Sequence, residues 1–192
     1  MSREFDAQLA FGKIGEAYIA NWLKMFGQYH VLPVYEKEIQ EGKGPMLFPS
    51  HSSPLVAPDL LVFRDVGGGV AKIRWVEAKT KSAFTWHRKS QKWTTGIDLR
   101  HYQQYQRVAE LSPWPVWILF LHHDGQAKDS PPGCPTGLFG ADIRYLVNHE
   151  SHRWLGNGGG GMVYWAHETL TLMATLEQVY RASATHQETP AS

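Results

Sequence analysis

Apolar positions recur at steps of four and three from Phe5 through Leu9, Gly12, Glu16 and Ile19 to Leu23, which predicts a helix over residues 3–26. Glu16 interrupts that otherwise apolar stripe. A second stripe of Phe11, Ile14, Tyr18, Trp22 and Met25 gives the helix more than one apolar side, so extensive packing is expected. Gly27 stands where helices commonly end. Residues 29–35 read as a short strand with Pro33 at an edge or bend. Residues 36–58 are rich in Gly, Pro and Ser and read as a long loop, a kind of segment that is usually functional or mobile.

The pattern then changes to β. D-L-L-V-F at 59–63 and a β-branched run at 70–79 flank the turn R-D-V-G-G-G, which predicts a β-hairpin. Alternation puts Trp75, Glu77 and Lys79 on one face of the second strand and Val76 and Ala78 on the other. A same-face ion pair between Glu77 and Lys79 is the plain explanation of that spacing. The first strand adds a second one. Pairing about Gly67–Gly69 brings Asp59 opposite Lys79 or Glu77. Two carboxylates meeting there repel unless a divalent cation sits between them. Hard Mg²⁺ or Mn²⁺ suits such a site, and Lys79 is placed to orient or help deprotonate a bound water.

Further along, residues 82–97 read as a basic, aromatic loop. Asp98 reads as the N-cap of a helix running through Leu111, which S-P-W-P ends. V-W-I-L-F-L-H at 116–122 is a continuous apolar run, expected of a central buried strand. Residues 124–137 read as a loop, 138–143 as strand, 142–154 as helix, 162–166 as strand and 170–181 as helix. One domain is expected over 1–181, followed by a polar, frayed tail at 182–192.

The chain carries a net charge of +1, but its distribution is uneven. From Lys72 to Arg107 there are nine Lys or Arg and two acids, Glu77 and Asp98, so that window holds +7 and the remainder −6. Lys81, Arg88, Lys89 and Lys92 alternate with Phe84, Trp86 and Trp93, combining phosphate-seeking cations with stacking surfaces. Arg100 and Arg107 extend the track. Ordinary surface over buried aromatics would give the same composition, and charge alone leaves it even with contact with a polyanion such as nucleic acid.

With 192 residues and eight each of Trp, Tyr and Phe, the chain is long and aromatic enough for a sizeable core. Its first residues are polar, and its longest apolar run is too short to span a bilayer, so no membrane role is expected. A single cysteine, Cys134, excludes an internal disulfide framework and fits a reducing, cytoplasmic setting. Ten histidines invite a zinc reading, but no Cys-x-x-Cys or H-E-x-x-H spacing supports it. N-G-G-G-G at 157–161 lacks the G-K-[ST] ending of a phosphate loop and reads as a turn. Cys134 has no activating neighbour in sequence.

P-D-L-L-V-F followed by W-V-E-A-K-T-K, with Glu16 in G-K-I-G-E-A on the preceding helix, resembles the PD-(D/E)XK nuclease superfamily. That superfamily includes type II restriction enzymes, archaeal Holliday-junction resolvases and lambda-type exonucleases. The resemblance implies an α/β fold with a restriction-endonuclease-like mixed central β-sheet flanked by helices, an αβββαβ core. It implies that Asp59, Glu77, the Ala78 carbonyl and Glu16 hold one or two Mg²⁺ or Mn²⁺ ions, with Lys79 as the catalytic lysine. The implied activity is hydrolysis of DNA to 5′-phosphate and 3′-hydroxyl ends, on double-stranded or branched DNA, by what is often a homodimer. On the helix after the motif, D-L-R-H-Y-Q-Q-Y-Q, the usual Gln-x-x-x-Tyr spacing is absent. His101, Gln103 and Tyr105 are therefore candidates for nucleic-acid contact only. The rival class is a catalytically silent nucleic-acid-binding or inhibitor protein on the same fold, and a nuclease acting on RNA is a third.

Overall fold

Helix α1 (Arg3–Met25) follows the predicted periodicity, and its C-terminal half carries the packing: Ile19, Trp22 and Leu23 are buried, whereas Leu9, Phe11, Ile14 and Met25 remain exposed. The computed structural model describes residues 3–34, 46–47, 53–69, 71–127, 130–156 and 160–187. The helix ends through hydrogen bonds from the Phe26 and Gly27 amides to the Trp22 carbonyl. Gln28, not Gly27, takes the left-handed conformation, at φ 54°. Gly27 is needed for a different reason, since a Cβ there would stand 2.8 Å from the Leu23 carbonyl oxygen.

Strand β1 (His30–Pro33) is short, as expected, and lies at a sheet edge. The predicted loop over 36–58 needs correction where it is described. Met46–Leu47 (β2) and Leu55–Val56 (β3) pair antiparallel; residues 36–45 and 48–52 lie outside the described residues. β4 (Leu60–Asp65) and β5 (Ala71–Lys81) form the predicted hairpin, in the register Leu60↔Val76 to Asp65↔Ala71. Gly67, Gly68 and Gly69 all have positive φ, a conformation that L residues with side chains rarely adopt.

The segment expected as a basic loop is a second hairpin, β6 (Thr85–His87) and β7 (Lys92–Asp98). Helix α2 (Leu99–Leu111) then starts as predicted, with the Asp98 carboxylate accepting from the Arg100 and His101 amides. β8 (Val116–His122) is buried along almost its whole length, and β9 (Gly137–Asp142) follows. The helix expected over 142–154 is corrected to one short turn, α3 (Ile143–Val147), because Asn148 caps it and the chain passes into β10 (His152–Leu155). After β11 (Gly161–Ala166), the predicted helix over 170–181 divides into β12 (Thr171–Ala174) and α4 (Leu176–Gln187). The frayed-tail expectation is corrected for 182–187, which are helical, with Ala182 and Ser183 buried.

Six strands form a mixed central sheet in the order β1-β4-β5-β8-β9-β12; β5 and β8 run parallel and the other neighbours antiparallel. The expected αβββαβ core is therefore present as α1, β1, β4, β5, α2 and β8. Two insertions, the β2–β3 and β6–β7 pairs, interrupt it. Val76 and Ala78 face a core with Ile19, Trp22, Leu23 and Val179, beneath α1 and α4. Trp75 faces the other way, into a core shared with Tyr102 and Val108 of α2 and with Ile97, Val163 and Trp165 of a four-stranded sheet ordered β10-β11-β7-β6. No helix among the described residues is long and apolar enough to cross a membrane.

Candidate active site

The site lies where β4 begins and β5 passes beyond it. Asp59 precedes the pair Leu60↔Val76 by one residue, so the register carries it to the level of Glu77. Its Oδ2 accepts a 2.9 Å hydrogen bond from the Ala78 amide, and its carbonyl accepts from the Val34 amide at the end of β1. A strand residue presents its N–H and C=O at the same edge. The Ala78 carbonyl therefore faces the edge that Asp59 occupies.

Glu77 is wholly buried. Its neighbour on β8 is the buried Ile118, so the carboxylate is enclosed by apolar strands. Neither Glu77 oxygen accepts a hydrogen bond of ordinary geometry, and the Lys79 ammonium stands in ion-pair contact with Oε1. Lys79 keeps 28% of its side chain exposed, so the pair reaches solvent at the lysine end. A buried carboxylate with so little hydrogen bonding is costly.

Glu16 enters from α1 because of the residue before it. A Cβ at Gly15 would lie 1.6 Å from Thr80 Oγ1, so only glycine lets α1 approach β5 this closely. Gly15 is thus a functional position that helical periodicity does not mark; its only signal in the sequence is the G-E pair at 15–16.

The three acids and the lysine sense one another. Burial first, and then the Glu77 charge, hold the Asp59 carboxyl well above the usual carboxylate range, against the pull of Lys79 and the Ala78 amide. Burial, followed by Glu77, also raises Glu16. Burial opposes the Lys79 ammonium, but Glu77, Asp59 and Glu16 outweigh it and raise its pKa. Lys79 is therefore a firmly protonated donor.

The four residues are brought together as coupled charges rather than as a finished metal cage. Among the described residues, no three His, Cys, Asp or Glu side chains converge closely enough to hold a metal ion ready-made. The donor set nevertheless fits a hard divalent cation: carboxylate and carbonyl oxygens, repelling acids, and a buried glutamate short of hydrogen-bond donors.

The predicted nucleic-acid contacts separate into two groups. Arg88 and Lys89 are exposed in the β6–β7 turn, Lys92 is exposed on β7, and Arg100, His101 and Gln103 are exposed on α2. Tyr105 is corrected: it is 3% exposed and packs into the core between α2 and the sheets. Lys81 is half-buried at the end of β5, opposite His122, and its pKa is lowered by burial and then by Lys79. Arg107 is tied to Glu110 by a 2.6 Å ion pair. Gln104, beside the predicted Gln103, accepts from the Val56 amide at 3.2 Å and so anchors β3 to α2.

No protein-family model and no curated protein matches the chain. Among solved structures, it is similar to a Holliday junction resolvase of the archaeal hyperthermophile Archaeoglobus fulgidus. The identity is 10% and the TM-score 0.45, over 82% of this chain and 90% of that one. It is also similar to a nuclease from a fusselovirus, at 10% identity and a TM-score of 0.37, over 97% of this chain and 96% of that one. The resemblance to the PD-(D/E)XK superfamily rests on this chain's own helix–hairpin–helix–strand order, with P-D and E-A-K on adjoining strands.

Proposed function

We propose that the protein is a metal-dependent nuclease that hydrolyses phosphodiester bonds in DNA. The observation that carries this is the meeting of Asp59, Glu77 and Lys79 at one point of the β4–β5 edge, with Glu16 within electrostatic reach. Asp59, Glu77 and the Ala78 carbonyl would hold Mg²⁺ or Mn²⁺, with Glu16 completing the charge. When bound, the cation supplies charge neutralisation at the phosphorus and a water of lowered pKa. Asp59 and Glu77 fix the place of reaction through their strand positions, and the Ala78 amide fixes the Asp59 rotamer. Lys79, protonated and partly exposed, donates to a phosphate oxygen or orients the attacking water, stabilising negative charge as it develops. Arg88, Lys89, Lys92 and Arg100 would track the DNA backbone beside the site, and a homodimer would present two such sites to a duplex or a branched junction.

The rival is a catalytically silent DNA-binding or inhibitor protein on the same fold. The direct closure of Lys79 on Glu77 favours it. Incubation with plasmid, linear, single-stranded and four-way-branched DNA, and with RNA, in Mg²⁺, Mn²⁺ or EDTA separates the two. The proposal expects cleavage that needs the cation and disappears in Asp59→Asn and Lys79→Ala. Binding without cleavage on every substrate would replace it with the rival.

A further inference from the structure

The hairpin that carries the candidate active site also carries a cluster of cations on its other face. Arg64 stands directly opposite Lys72 in the β4–β5 register, and Arg74 is two residues along from Lys72 on the same face. Like charges facing each other across strands are destabilising. Among the described residues, no acid forms an ion pair with any of the three, and Asp142, paired with Trp117 on β9, attracts Arg74 only from beyond ion-pair distance.

These cations line a half-open cavity of about 240 Å³ between β4, β5 and β8 and the C-terminal end of α1. Trp22, Tyr29 and Trp117 form its aromatic walls, and no acid lines it. The guanidinium of Arg64 lies 5.0 Å from the centre of the Tyr29 ring, and that of Arg74 lies 5.3 Å from Tyr29 and 4.8 Å from Trp117. Arg64 Nη1 donates to the Gly27 carbonyl at 3.3 Å. The Nε atoms of both arginines are buried and without a hydrogen-bond partner. Stacking holds the two forks in place, and their unused donors are the feature that packing alone leaves unexplained.

A guanidinium fork matches phosphate oxygens in a bidentate way, and two forks with an ammonium match a dianion. The cavity is small for a ligand site, and its half-enclosed shape excludes a duplex. Alternation along β5 puts it on the face of Val76 and Ala78, away from that of Glu77 and Lys79. We propose that this cavity binds a small phosphate monoester, no larger than a mononucleotide, held by Arg64 and Arg74 with Lys72 at the rim. The site stands whether or not the chain cleaves DNA.

Isothermal titration of the full chain with inorganic phosphate, adenosine 5′-monophosphate and adenosine tests this. Saturable one-to-one binding of phosphate or of the monophosphate is expected, with none of adenosine; the stronger of the two anions identifies the source. Arg74→Gln and Arg64→Gln should each weaken binding at least tenfold. Lys72→Met, at an exposed position, should weaken it about threefold. Lys79→Ala should leave it unchanged. Absence of binding of both anions by the wild-type chain at millimolar concentration overturns the proposal. So does undiminished binding in both Arg74→Gln and Lys72→Met, or loss of binding in folded Lys79→Ala.

Discussion

Asp59 Oδ2 accepts the amide hydrogen of Ala78 at 2.9 Å, a bond between the residue before β4 and the middle residue of E-A-K. It ties an acid to the strand that carries its partners Glu77 and Lys79. Asparagine keeps an acceptor of the same shape, whereas alanine leaves a buried amide unpaired. Asp59→Asn should therefore fold with little change, and Asp59→Ala should lose about 1–3 kcal/mol. Both should lose metal-dependent cleavage by more than the roughly 10–100-fold typical of groups that only orient a metal ligand. Denaturant melts and cleavage rates on one DNA substrate check the pair.

Removing the lysine separates structure from chemistry. Lys79→Met leaves Glu77 wholly buried beside Asp59 with its ammonium partner gone. Because Lys79 is partly exposed, solvent screens the change, and the metal-free protein should lose about 1–3 kcal/mol. Mg²⁺ or Mn²⁺ should restore much of that stability without restoring cleavage. Thermal melts with and without the cation read this out.

Gly15→Ala should be far more damaging than an alanine in a helix ordinarily is. The added carbon would meet Thr80 Oγ1 at 1.6 Å, so α1 must move off β5 and take Glu16 with it. A loss of about 1–3 kcal/mol and a marked fall in activity are expected. Adding Thr80→Gly should recover both, which a general loss of helix stability would not permit.

His122 should make the protein sensitive to acid. Its ring is wholly buried and lies against Phe84 at 3.5 Å between ring centres, with an interplanar angle of 9°. Ala83's backbone favours the charged ring slightly, yet neither nitrogen makes a hydrogen bond of full geometry. Burial, and then the charge of Lys81, push its pKa down to about 3. Between that value and the unfolded value near 6.5, the unfolded chain binds more protons, so stability falls as pH falls. The slope from this residue approaches about 1.4 kcal/mol per pH unit. His122→Phe should flatten the stability profile between pH 6 and pH 4, measured by urea unfolding.

The hairpin and its acids were legible because turn chemistry and alternation fix register: three glycines set the turn, and counting back from it brings Asp59 to Glu77. Of the second sheet only β11 was, as the strand expected over 162–166. Its β6–β7 hairpin is short and its turn is Arg88-Lys89-Ser90-Gln91, so charge masked the alternation of Trp93, Thr95 and Ile97. β10 exposes most of its residues at a sheet edge and leaves no burial pattern to read. The break between β12 and α4 did have a signal. Thr175 and Gln178 exchange backbone and side-chain hydrogen bonds at 3.0 and 3.3 Å, a capping box spelled T-L-E-Q. The cation cavity was invisible, because Tyr29, Arg64, Arg74 and Trp117 meet only after the strands pair.

The central claim is that Asp59 and Glu77 share a divalent cation beside Lys79. A crystal soaked in Mn²⁺ and measured at the manganese absorption edge tests it most directly. The account predicts an anomalous peak within bonding distance of both carboxylates and near the Ala78 carbonyl. A fully soaked crystal with no peak there, or with manganese bound elsewhere, would contradict it.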